Sequence, residues 1–258
     1  MAFVESKARR RARPPTDEHR TEAVELSLLG VFRLRIDGRP IELPGAAQRL
    51  LAVLALHGRT SRGRLAGTLW PEAPEPRALA SLRTGIWRVN QAAPALVFAR
   101  GDAIEVDAHA WVDVREFVDG AMAVLHDAPG DLPTWWSPGD DLLVDWDEPW
   151  LVHERERLHQ LRLHLLETIA DRLAAQGQFG LAIEAALAAV RRDALRESAH
   201  RTLIRAHLAE GNLGEARRAY RSFAQLLDEE LGLTPTAEIS ALIDDKGDAD
   251  ERARIMSG

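Results

Sequence analysis

A chain of 258 residues with 46% hydrophobic and 28% charged residues has the composition of a folded globular protein, one large domain or two ordinary ones. It has no cysteine, which excludes disulfides, thiolate metal sites and a cysteine nucleophile, and no apolar run that approaches a membrane span. The net charge of −7 is divided unevenly: residues 24–108 hold 11 Arg against 8 acidic residues, whereas 109–258 hold 16 basic and 28 acidic ones, so the first half is the one expected to meet a polyanion.

The first 23 residues are rich in Arg, Pro and Glu with few large apolar side chains, which predicts a disordered basic arm, either solvated or resting on phosphates. No apolar stretch follows Arg9, Arg10 and Arg11, so a signal peptide is not expected and a cytoplasmic location is. Residues 24–43 read as strands, with Asp37-Gly38 as a hairpin turn and Gly30 as a candidate bulge. A helix over 46–57 is stopped by Gly58, and a second, capped by Thr60 or Ser61, ends near Trp70. Pro71, Pro74 and Pro76 predict a stiff loop over 71–76.

The next helix, 77–91, is the informative one. Leu79, Leu82, Ile86 and Val89 form an inner stripe at helical spacing. Arg77, Ser81, Thr84, Trp87 and Arg88 then lie on the opposite face, with Arg83 on its flank. Pro94 ends the helix, and residues 96–98 and 104–106 make a hairpin around Arg100-Gly101-Asp102. Strands, two helices, an Arg-faced helix and a hairpin make a winged helix-turn-helix, in which one helix enters the major groove and a second braces it. The DNA-facing residues are thus expected to be Arg77, Ser81, Arg83, Thr84, Trp87 and Arg88, with Arg100 on the wing. Trp87 is left with two positions, toward DNA or packed on the brace.

From Trp111 onward the sequence reads as helix, with Val112, Phe117, Met122 and Leu125 lining the first one. Residues 129–150 hold four prolines and Trp135, Trp136, Trp146 and Trp150, read as rings that pin a loop to a helical body in preference to a ligand cage. Ala175-Gln-Gly-Gln-Phe-Gly-Leu-Ala182 recurs as Ala209-Glu-Gly-Asn-Leu-Gly-Glu-Ala216, an offset of 34 residues that is the tetratricopeptide period. Helices near 150–176, 178–192, 196–210, 212–230 and 235–244 then stack as a short solenoid. The fold expected is mostly α: an α+β winged helix-turn-helix domain followed by an all-α tetratricopeptide-like domain.

Nothing in the sequence predicts an enzyme. With Lys7 and Lys246 as the only lysines there is no GxxxxGK[ST] phosphate loop, and no serine sits in a GxSxG context. His153, His159, His164, His200 and His207 lack the +4 spacing of paired ligands on one helical face and read as surface or part-buried residues. No catalytic residue, cofactor or metal is expected.

In order along the chain, Leu28-Leu-Gly-Val-Phe-Arg-Leu, Leu69-Trp-Pro, Ser81-Leu-Arg-Thr-Gly-Ile-Trp-Arg-Val and Val112-Asp-Val-Arg-Glu-Phe are followed by Glu154-Arg-Glu-Arg-Leu-His-Gln-Leu-Arg, Arg196-Glu-Ser-Ala-His-Arg and Glu229-Glu-Leu-Gly-Leu-Thr-Pro. Together they resemble the Streptomyces antibiotic regulatory protein family, in which a winged helix precedes a bacterial transcriptional activator domain. The resemblance covers residues 24–244. It implies a transcriptional regulator, an activator that binds directly repeated promoter-proximal sites on double-stranded DNA, associates side by side with itself there, and recruits RNA polymerase holoenzyme, with no membrane partner. It also implies that the activator domain starts at about His109, and the boundaries expected are then 1–23 for the arm, 24–108 for the DNA-binding domain, 109–245 for the activator domain and 246–258 for a flexible tail. The alternative is a protein-interaction adaptor whose winged helix does not bind DNA. Three positions depart from the family: Gly85 replaces an Ala, Asn90 a second Arg, and Ala194 a Pro.

Overall fold

The computed structural model describes residues 23–126 and 141–244. Strands β1 (Val24–Ser27), β2 (Arg33–Ile36) and β3 (Arg39–Ile41) form an antiparallel meander in which Leu26 faces Leu34 and Leu34 faces Ile41. Asp37 and Gly38 both have positive φ, 49° and 78°, the pair of left-handed residues whose twist suits a two-residue hairpin. Gly30 lies in the β1–β2 connection, outside the ladder, and its N–H donates to Asp141 O at 2.8 Å.

Helix α1 (Gly45–His57) buries Ala47 and the run Leu50–Ala55, and Gly58 closes it at φ 69°. Thr60–Ser61 forms a two-residue strand, β4, and the Ser61 hydroxyl caps α2 (Arg62–Leu69) by accepting from Arg64 N. Helix α3 spans Glu75–Ala92, so the proline loop is shorter than expected. Pro76 sits in the first turn, where the missing N–H has no intrahelical partner to lose, and Glu75 complements the helix dipole there. Strands β5 (Val97–Arg100) and β6 (Ala103–Val106) pair as the terminal hairpin, and β4 adds to the other side of β6.

Two expectations for the next segment are corrected. Trp111–Val112 is a short strand, β7, not the start of a helix; it runs parallel to β1, with Val112 opposite Leu26. Helix α4 (Asp113–Leu125) buries Val114, Phe117, Ala121 and Val124, whereas Met122 is 40% exposed and so does not line it. The rotation is set by Asp113, which is buried in the first turn and accepts from Leu28 N at 2.8 Å and Leu29 N at 3.1 Å.

The helical half follows its repeat closely. Helices α5 (Leu151–Ala175), α6 (Phe179–Arg192), α7 (Glu197–Glu210) and α8 (Leu213–Leu231) stack in succession, and residues 237–244 are helical. Gly177 (φ 74°) and Gly211 (φ 86°) take the left-handed conformation between the paired helices, and Ala182 and Ala216, both fully buried, allow the close crossings. A continuous apolar core joins the two halves, from Leu26 in β1 to Ala206 in α7. Trp146 stacks on Phe32 of the β1–β2 connection at 5.9 Å and meets Trp150 edge-on, so these two rings do pin a loop; Trp135 and Trp136 lie outside the described residues. The architecture is therefore a winged helix-turn-helix followed by a tetratricopeptide-like helical array.

Candidate nucleic-acid interface

Helix α3 is built to offer one face. Ala78, Leu82, Gly85 and Val89, at +4, +3 and +4, form the buried stripe, with Leu79 and Ile86 only half-buried beside it. Relative to a stripe of Leu79, Leu82, Ile86 and Val89, the helix is turned by about 50° at about 100° per residue. The cause is Gly85. A Cβ there would stand 3.4 Å from Leu50 Cδ2, so α1 approaches α3 closely along this line. The family departure at Gly85 thus lies at the brace rather than on the exposed face.

The turn redistributes the outer residues. Trp87 comes to lie about 170° from the centre of the buried stripe and is 61% exposed, which settles its position: it does not pack on the brace. Arg83 and Thr84 flank it and are exposed; Arg77 and Arg88 are exposed on one side, and Ser81 is turned inward to half-burial. Among the described residues, Arg77, Arg83 and Arg88 make no ion pair, so three guanidinium groups stand solvated around one indole. The Thr84 hydroxyl donates to Ala80 O at 3.1 Å and spends its proton on its own helix.

The hairpin is fixed to this unit by two latches. Arg62 N donates to Asp102 O at 3.0 Å, which ties the start of α2 to the hairpin turn. Asn90 bonds Val97 in both directions, Nδ2 to O at 2.9 Å and Oδ1 from N at 3.0 Å, so its amide continues the β5 ladder from α3. An Arg at position 90 lacks the acceptor this needs. Arg100 is largely exposed on the outer side of the hairpin, 3.7 Å from Glu105, and Phe98 is exposed on the same side. The site residues inferred from the sequence are therefore brought together on α3, except Arg100, which the hairpin carries separately. Asn90 and Arg62 were missed as positioning residues, because their partners are backbone groups with no sequence signature.

Several arginines elsewhere in the chain are turned inward. Arg115 donates from Nε to Ala55 O at 3.1 Å at the end of α1, and Arg155 donates to the carbonyls of Leu142, Leu143 and Trp146. Arg49 pairs with Glu148 at 2.8 Å and His57 with Glu154 at 3.3 Å, so α1 is bonded to both ends of the α5 entry. His200, expected to be a surface or part-buried residue, is buried: it stacks on Phe223 at 4.2 Å, its Nε2 lies 2.9 Å from Ala194 O, and burial holds its pKa below the ordinary value. No group of histidine or acidic side chains suited to a metal occurs among the described residues, and no helix there is long and apolar enough to cross a membrane.

Comparison with known proteins agrees with this architecture. Residues 131–245 match the family described as bacterial transcriptional activator domain. The chain is 31% identical over 250 residues to the regulatory protein AfsR of Streptomyces coelicolor, covering 88% of this chain and 24% of that protein. It is 30% identical over 245 residues to AfsR of Streptomyces griseus, covering 89% and 25%. The chain thus spans about a quarter of the length of the curated relatives it matches. In fold it is similar to EmbR of Mycobacterium tuberculosis, solved in complex with a low-affinity phosphopeptide: the TM-score is 0.67 at 19% identity, over 87% of this chain and 65% of that one. A winged helix with an outward Arg-rich helix, joined to a helical array that matches the bacterial transcriptional activator domain, makes this chain similar to part of those regulatory proteins.

Proposed function

We propose that this chain is a DNA-binding transcriptional activator. Residues 24–108 bind duplex DNA and residues 109–245 carry the activating contacts. Helix α3 enters the major groove with Arg77, Arg83, Thr84, Trp87 and Arg88, the half-buried Ser81 lies at the edge of that face, and Arg100 on the hairpin rests on the neighbouring backbone. Copies sit side by side on directly repeated promoter-proximal sites and recruit RNA polymerase. The observation that carries this reading is the outer face of α3, where cations without described acidic partners surround an exposed ring in a chain whose net charge is −7. A solvated helix gains nothing from holding three like charges together, whereas a phosphate-lined groove does.

The test is fluorescence anisotropy of the full chain with labelled duplexes across a salt series. Arg77, Arg88, Arg100 and Arg62 on phosphates give a log–log slope of about −3 to −4 per protomer, because each neutralised phosphate releases counterion. Salt-independent affinity, or none, would leave the adaptor reading in its place.

A further inference from the structure

We infer that α3 reads thymine methyl groups through Trp87, so that the bound site carries thymine at the centre of the α3 contact, with guanine or phosphate contacts from arginines on either side. The inference rests on the DNA-binding reading above and goes beyond it to the chemistry of the ligand. Four observations carry it. Trp87 is the large side chain pointing most directly away from the core, and 61% exposure leaves most of the indole available. Ala80, two turns before it on the same line, is exposed and adds a methyl group. Thr84, between them, has its hydroxyl bonded to Ala80 O and offers no free proton. Arg83 lies on one side of this line and Arg77 and Arg88 on the other.

The middle of the face is therefore apolar, and only its margins are cationic. In the major groove the base edges present hydrogen-bonding groups with one apolar feature, the C5 methyl of thymine. A ring in the groove that finds no methyl loses water and gains little; one that covers a methyl recovers the transfer free energy of that group. Positive margins select a polyanionic partner over an apolar protein surface.

The full chain is used to enrich duplexes from a random-sequence pool, and each thymidine of the enriched site is then replaced singly by deoxyuridine, which removes the methyl and nothing else. One or two positions should lose about fourfold in affinity, the value of one buried methyl group. Trp87→Ala should bind the unmodified site more weakly and respond to no deoxyuridine, while Trp87→Phe should keep a reduced response. Because the ring is exposed, thermal melts of both variants should match the parent, which separates reading from folding. A specific, salt-dependent complex indifferent to every deoxyuridine would overturn this inference and leave the DNA-binding reading standing. An identical deoxyuridine response in Trp87→Ala would also overturn it. Failure to enrich any sequence would overturn both.

Discussion

The outer face of α3 and the seam between the two halves contain the same residue type in opposite conditions. Around Trp87, arginines stand in water without acidic partners among the described residues. At the seam, Arg115 and Arg155 are turned onto backbone carbonyls and Arg49 meets Glu148. Arginine in the seam replaces hydrogen bonds that irregular backbone cannot make for itself; arginine on α3 has no such duty and is available to a ligand. A basic composition alone does not separate the two uses. What separates them is whether a carbonyl or carboxylate lies within reach.

Substitutions on each side of this divide should have non-overlapping effects. The largest is expected on α3: Arg83→Ala or Arg88→Ala should reduce the ratio of specific to non-specific DNA affinity by about 10- to 100-fold if the side chain reads a guanine edge, with the melting temperature unchanged. Titration against the specific site and a scrambled duplex measures the ratio, and an unaltered ratio in both variants removes these two arginines as base readers. Next is Asp113→Ala, which strands the buried Leu28 N–H and leaves the half-buried Leu29 N–H to water, and should cost about 1–2 kcal/mol in denaturant unfolding. Its direct effect on a DNA contact should be nil, so weakened affinity in fully folded protein would show that the seam also tunes the reader.

A smaller effect of opposite sign is expected from Gly85→Ala. The new methyl would meet Leu50 Cδ2 at ordinary contact distance, 3.4 Å, and the helix would gain about 1 kcal/mol of propensity. A higher unfolding midpoint with unchanged DNA affinity is the expected result; lower stability would mean that α1 cannot yield at all along this line. The smallest is a pH effect at His200. Its folded pKa is held below the ordinary histidine value by burial, so the unfolded chain takes up this proton first as the pH falls. The contribution to stability is complete above the ordinary histidine range and is lost as the pH drops through the folded value. His200→Phe should flatten that part of the stability–pH curve relative to the parent.

Much of the architecture was legible in residue order. Turn residues and periodicity located the strands and helices, because Asp37-Gly38, Gly58, Gly177 and Gly211 are positions where local backbone preference and final conformation agree. The 34-residue repeat located the helical array for the same reason, since each repeat is a local unit that stacks on the next.

Contacts between different elements decided the rest. Asp113, Arg115 and Asn90 serve carbonyls and N–H groups that belong to other elements, 85, 60 and 7 residues away. Backbone partners leave no mark on composition, so such latches become visible only once the chain is folded. Strand β7 exists because β1 had a free edge beside it, not because two residues prefer extension. The same holds for the face of α3. Leu79 and Ile86 are more apolar than Ala78 and Gly85, and hydrophobicity alone places them inward. Close packing reversed that order, because α1 approaches where the side chains are smallest. That approach turned Trp87 and Arg83 outward and Ser81 inward, and so determined which residues a ligand of this helix can touch.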